Sequence, residues 1–170
     1  MPASQASSEQ PGSGAALAAT RPHVPGYGIP ETVKGTLPWS HVRERMERSR
    51  NYWVVTVRPD GQPHAVPVWG AWVDDALYFG GGPETRWVRN LQANPRVAVH
   101  LEDGNDVVIL EGQATPLTDP KHPLVPRLDS AFKAKYEMSF EPPCWVLKPR
   151  VVFAWSAFPN DATRWVFGDR

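Results

Sequence analysis

The residues best equipped for chemistry lie in the stretch GGGPETRWVRNL, residues 80–91. Gly80 and Gly81 have no side chain to keep a ligand away from the backbone. A helix that starts just after them offers unpaired N–H groups and the positive end of its dipole, which suit a phosphate. Thr85 adds a hydroxyl donor. Arg86 and Arg89 add guanidinium forks that match phosphate oxygens. Trp87 places a broad flat surface beside them. The same residues also compose an ordinary tight strand–helix turn, with the arginines solvated or paired with Glu84 or Glu102. No Lys-Ser or Lys-Thr follows the glycines, so this is not a Walker loop.

A second candidate is HAVPVWG, residues 64–70. Pro67 cannot donate to a strand ladder, so the strand has an edge or a bulge here. Backbone groups of His64, Ala65, Val66, Pro67, Val68 and Trp69 would then be free to meet a planar heterocycle. The plainer alternative is a sheet edge covered by the N-terminal segment.

Other chemistries find little support. The histidines (His23, His41, His64, His100 and His122) are scattered, with no pair at metal-ligand spacing and no cysteine cluster. A single histidine would suffice as an axial haem ligand. No Gly-x-Ser-x-Gly elbow is present. The one cysteine, Cys144, lies between Pro143 and Trp145 and reads as a buried, inert thiol. Asp74 and Asp75 read as solvated turn formers. A chain with no evident acid, base or nucleophile suits chemistry done by a bound cofactor.

Composition narrows the class. The 170 residues suit one domain and a tail. Eighteen basic and 18 acidic residues leave no net charge, which argues against nucleic-acid binding by bulk electrostatics. One cysteine excludes an internal disulfide. No apolar run is long enough for a bilayer, and the N-terminus lacks the pattern of a signal peptide. The expected location is cytoplasmic. Eight tryptophans need flat surfaces to pack on, in a core, an interface or against a planar ligand.

The elements that must position these residues are short. Residues 1–20 lack large apolar side chains and read as a disordered tail. The domain is placed at 21–170, with 21–30 extended across its surface. Leu37, Trp39, Val42 and Met46 recur at helical spacing. Strands are expected at 51–57, 62–73 and 76–80, joined into a meander by turns at Arg58-Pro59-Asp60-Gly61 and Asp74-Asp75. A helix at 84–92, strands at 96–102 and 106–117 and a helical segment at 120–139 follow. Strands at about 150–156 and 162–168 close the chain. Six or seven antiparallel strands with glycine-rich turns point to a closed or partly closed barrel.

The sequence resembles the pyridoxamine 5′-phosphate oxidase-like split β-barrel family. Within it the likeness is greatest to the flavin- and deazaflavin-dependent oxidoreductases common in actinobacteria. It is carried by RPHVPGYGIP (21–30), NYWVVTVRPDGQPHAVPVWG (51–70), TRWVRNLQANPRVAVHLEDGNDVVILEG (85–112), RVVFAW (150–155) and DATRWVF (161–167). The resemblance implies a mainly β fold, a six-stranded antiparallel FMN-binding split barrel with peripheral helices. It also implies a homodimer with two cofactor sites at the interface, holding FMN or coenzyme F420. Thr85, Arg86 and Arg89 match the phosphate-binding stretch, residues 64–69 match the strand lining the ring, and Trp165 would complete the site from the other subunit. Relatives tend to carry lysine where this chain has Trp87. That leaves the phosphate to the two arginines, with the indole stacking on the cofactor or filling the pocket. The implied activity is hydride transfer to a small, planar, unsaturated substrate. The alternatives are a non-catalytic split barrel that binds a cofactor or haem-like ligand, and pyridoxamine 5′-phosphate oxidase itself.

Overall fold

A computed structural model describes residues 18–168. The expected disorder of the first residues lies, for 1–17, outside the described residues. Strand β1 (Tyr52–Val57) is β-branched and aromatic and turns at Gly61, whose φ of 86° favours glycine. It pairs antiparallel with β2 (Pro63–Val68), from Tyr52↔Val68 to Val57↔Pro63.

The expected run at 62–73 is two strands, and the meander does not form. The chain leaves the ladder at Trp69. Strand β3 (Gly70–Val73) pairs only with β4 (Ala76–Phe79). The turn between them holds Asp74 and Asp75 at φ of 51° and 56°, the left-handed geometry of a two-residue hairpin. The remaining strands are β5 (Arg96–His100), β6 (Val107–Leu117), β7 (Cys144–Trp155) and β8 (Thr163–Val166). The sheet order is β2-β1-β5-β6-β7-β4-β3, with β8 also on β7. Consecutive strands β2 and β3 therefore end the order on opposite sides. One covalent link at Trp69 holds those ends together, so the sheet must curl into a barrel split at this seam. At Gly70 the backbone passes so close that a Cβ would stand 2.9 Å from the Tyr78 carbonyl oxygen. The described strands number eight, not six or seven. The added strand comes from the division of 62–73 into β2 and β3, and β7 is longer than expected, beginning at Cys144 rather than near residue 150. Lys148-Pro149 looks like a stop, but Pro149 sits at a register slip opposite Glu111/Gly112, where the ladder is already interrupted.

Three helices complete the fold: α1 (Trp39–Arg48), α2 (Arg86–Ala93) and α3 (Val125–Tyr136). Val42 and Met46 of α1 and Val88 and Leu91 of α2 enter the main core, with Tyr52, Phe79, Leu110 and Val152 from the sheet. Leu128, Phe132 and Tyr136 of α3 form a second cluster with Tyr78, Cys144 and Val146. The chain is already tied to the sheet at Thr20. Its N–H and carbonyl both bond to Arg164 at 2.8 Å. The next residue, Arg21, donates to the carbonyls of Thr32, Lys34, Asn160 and Ala162 at 2.6–2.9 Å. Asp75 is not solvated: Arg43 binds both its carboxylate oxygens, at 2.7 and 2.8 Å. No helix among the described residues is long and apolar enough to cross a membrane.

Candidate cofactor site

The loop after β4 carries the chain to α2, which packs against β1 and β2. Asn90 fixes that docking. It is buried on the inner face of α2, and its amide donates to the Thr56 hydroxyl at 3.0 Å. Its Oδ1 is buried without a hydrogen-bond partner. A polar residue set among Trp87, Val88 and Leu91 was the sequence signal for this tie, and it was overlooked.

The outer face of α2 carries the cations. Arg86 is exposed and has no hydrogen-bond or ion-pair partner among the described residues. Arg89 forms an ion pair with Glu84, the plainer alternative for that residue. Thr85 is the N-cap, yet its hydroxyl donates back to the Gly82 carbonyl at 2.8 Å instead of capping the helix. The N–H groups of the first turn, at Arg86, Trp87 and Val88, therefore have no intrahelical acceptor and no side-chain cap. Arg86 and the first-turn N–H groups form a donor set suited to an anion, while the Thr85 hydroxyl proton is spent on Gly82.

Trp87 is not part of that set. It is 5% exposed, lies in the core with its ring centroid 5.6 Å from that of Phe79, and fills the space against Gly81. A Cβ on Gly81 would stand 2.4 Å from the Trp87 ring. The indole alone is thus enough to require glycine at 81. At Gly80 the nearest atom would be 3.8 Å away, an ordinary contact.

Residues 64–69 do not act as one surface. His64, Val66 and Val68 oppose Thr56, Val54 and Tyr52, all buried, so they lie on the inner side of the sheet toward α2. Ala65 and Pro67 oppose Val55 and Trp53 and lie on the outer face. Trp69 stands at the seam, 41% exposed, stacked on Tyr136 at 4.6 Å, with the Arg50 guanidinium 5.7 Å from its ring. Trp165 is 2% exposed and meets Trp39 edge-to-face at 5.3 Å in its own core.

A polar knot behind the seam also escaped the sequence reading. The Tyr136 hydroxyl bonds with the N–H and carbonyl of Gly70 and with the Arg50 carbonyl. The Lys135 ammonium donates to the Tyr52 hydroxyl at 2.8 Å and the Gly70 carbonyl at 3.3 Å. Burial with no carboxylate in contact lowers the Lys135 pKa to about 8. Burial likewise pushes the Cys144 thiol up to about 11, keeping it protonated and unreactive at neutral pH.

A mainly antiparallel sheet curled into a split barrel, with α2 docked on β1 and β2, defines the class. The family profile described as pyridoxamine 5′-phosphate oxidase matches residues 39–156, and the chain belongs to that family. No curated protein matches the sequence. Among solved structures it is similar to the conserved hypothetical protein Rv2991 from Mycobacterium tuberculosis. That match has a TM-score of 0.61 and 22% identity over 71% of this chain and 85% of the other. An F420 reductase matches with a TM-score of 0.51 and 26% identity over 65% of this chain and 94% of the other. An FAD-binding protein from Mesorhizobium loti matches with a TM-score of 0.57 and 23% identity over 78% and 96%.

Proposed function

We propose that this protein is an oxidoreductase that binds a flavin-type cofactor, coenzyme F420 or FMN, with the phosphate at the N-terminus of α2. The observation that carries this reading is the unpaired Arg86 beside the uncapped first turn of a helix docked on β1 and β2. Arg86 would hold the phosphate by charge-assisted hydrogen bonds, and the first-turn N–H groups would orient it. His64, Val66 and Val68 supply the strand face toward α2, and the Trp69–Tyr136 stack supplies a flat rim at the seam. When bound, the cofactor ring supplies the hydride, passed to a small, planar, unsaturated substrate. The protein's part is to hold, orient and shield the ring.

Charge bears on which cofactor fits. Glu84 cancels Arg89, and no lysine stands at position 87, so the turn carries a single net positive charge. That suits the singly charged phosphodiester of F420 better than the nearly dianionic phosphate of FMN.

A second copy of the chain is the proposed partner. Trp53, Ile109 and Phe153 align in one row across β1, β6 and β7, with His100 of β5 between the first two. With Val55, Val151 and Trp155 they give the outer face of the sheet a half-buried apolar stripe. Such a stripe suits a self-complementary interface.

The test is a fluorescence titration with F420 and, separately, FMN. Arg86→Ala should weaken binding of the preferred cofactor by about 10- to 100-fold, the value of a charge-assisted hydrogen bond. Unchanged affinity in Arg86→Ala would place the phosphate elsewhere.

A further inference from the structure

Of the eight tryptophans, Trp69 alone is exposed. It sits at the seam, between the end of β2 and the start of β3. One face of its indole lies on the Tyr136 ring, with centroids 4.6 Å apart and planes inclined by 8°. Tyr136 is fixed in turn by its hydroxyl, which accepts from the Gly70 N–H and reaches the carbonyls of Gly70 and Arg50. The indole is therefore exposed and held still. An ordered aromatic ring left in solvent offers a flat apolar surface for a ligand.

Arg50 stands beside this stack. Its Nη1 donates to the Lys135 carbonyl at 2.7 Å. Its guanidinium carbon is 5.7 Å from the Trp69 ring centroid and 5.4 Å from that of Tyr136. A cation over the far face of Trp69 would be much farther from Tyr136 than from Trp69. The near-equal distances put Arg50 at the side of the stack and leave that face uncovered by it. Nε and Nη2 of Arg50 have no hydrogen-bond or ion-pair partner among the described residues. Arg43 shows what that edge takes: its Nε and Nη2 grip the two carboxylate oxygens of Asp75 at 2.8 and 2.7 Å. The Lys135 ammonium is spent on the Tyr52 hydroxyl and the Gly70 carbonyl. Glu47, whose charge reaches Lys135, forms no ion pair among the described residues.

We propose that the seam binds a planar conjugated carboxylate, its ring on the open face of Trp69 and its carboxylate on the Nε–Nη2 edge of Arg50. Two parallel N–H donors fit the two oxygens of a carboxylate, and one guanidinium balances its one charge. A phosphomonoester, at about −1.5 to −2, would bring more charge than that edge matches. Conjugation keeps ring and carboxylate in one rigid plane, so a single skeleton can meet both groups at low entropic cost. Arg50 adds little to that cost, because a carbonyl and two rings already order it. The inference deepens the oxidoreductase reading by naming the class of its unsaturated substrate, and it rests on that reading only for the fate of the bound molecule.

Calorimetric titration of the full chain, free of cofactor, with cinnamate and with its neutral analogue cinnamamide tests the site. Saturable binding of cinnamate is expected, about tenfold or more tighter than that of cinnamamide. Arg50→Gln should weaken cinnamate by a similar factor and leave cinnamamide nearly unchanged. Arg50→Lys keeps the charge without the fork and should recover part of the loss. Trp69→Leu should weaken both molecules, by about 2- to 10-fold. Both side chains are exposed, so the variants keep the fold, which circular dichroism checks. Absence of saturable binding to the wild-type chain, as when a second copy covers Trp69, would overturn the proposal. So would equal affinity for cinnamamide, or unchanged cinnamate binding in Arg50→Gln or in Trp69→Leu. No cofactor enters this titration, so a chain that takes cinnamate but neither F420 nor FMN would refute the flavin reading and leave the carboxylate site standing.

Discussion

Gly81→Ala separates two explanations of the glycine-rich turn. If the glycine exists to admit a ligand, alanine should weaken cofactor binding and leave stability alone. The structure argues otherwise. The new Cβ would stand 2.4 Å from one carbon of the Trp87 ring and 3.1 Å from a second. That ring is 5% exposed and packed on Phe79, so it cannot swing into solvent. The φ of Gly81 is not in the left-handed region, so the cost is overpacking alone. Overpacking of this kind costs about 1–3 kcal/mol. Gly80→Ala, with its nearest atom at 3.8 Å, should cost under about 0.5 kcal/mol and serves as control. Trp87→Leu should cost about 2 kcal/mol or more through the space it empties. In the double variant the alanine methyl enters that space, so the costs should fall short of their sum by about 1–2 kcal/mol. Urea unfolding followed by far-ultraviolet circular dichroism reads all four. With a slope of about 2 kcal/mol per molar, Gly81→Ala should lower the midpoint by about 0.5–1.5 M. Additivity within about 0.5 kcal/mol, or a Gly81→Ala midpoint equal to that of Gly80→Ala, would refute the reasoning.

Two further outcomes follow from the seam and the outer face. The folded-state pKa of Lys135 is about 8 and its unfolded value near 10.5, so the unfolded chain binds more protons between them. Stability should therefore rise with pH across that window, and this rise should disappear in Lys135→Met. Thermal melts of both proteins between pH 7.5 and 9.5 check it, below the range where the buried tyrosine hydroxyls Tyr52 and Tyr136 contribute in the opposite sense. If the half-buried stripe on the outer face is the interface between two copies, Phe153→Glu should yield monomers in sedimentation analysis. A wild-type chain that sediments as a monomer at micromolar concentration would remove the basis for that interface.

Much of the barrel was legible because β-strands advertise themselves locally. The β-branched and aromatic content of residues 52–57 and the Asp-Gly turn after Pro59 gave β1 and the start of β2 from neighbouring residues alone. The failures all involve partners distant in sequence. Residues 62–73 look like one strand, since nothing local in Val-Trp-Gly reports that its halves pair with opposite ends of the sheet. Lys148-Pro149 looks like a strand stop. Its tolerance depends on a slip opposite Gly112, more than 30 residues upstream. The polar tie of Lys135 to Tyr52 spans 83 residues and has no local pattern at all.

The candidate site divides along the same line. Arg86 and Arg89 were legible as cations after a glycine-rich turn, because exposure on one helix face follows from spacing. For Trp87 the sequence left two roles open, stacking on a cofactor or filling space, and the indole is packed inward against Phe79. On a helix the residues at 87, 88, 90 and 91 share the other face, and that face is the one docked on the barrel. The bulk of the indole is what fixes glycine at 81. The two residues are therefore one packing solution, and the phosphate site proposed at this turn rests on Arg86 and the first-turn N–H groups of α2.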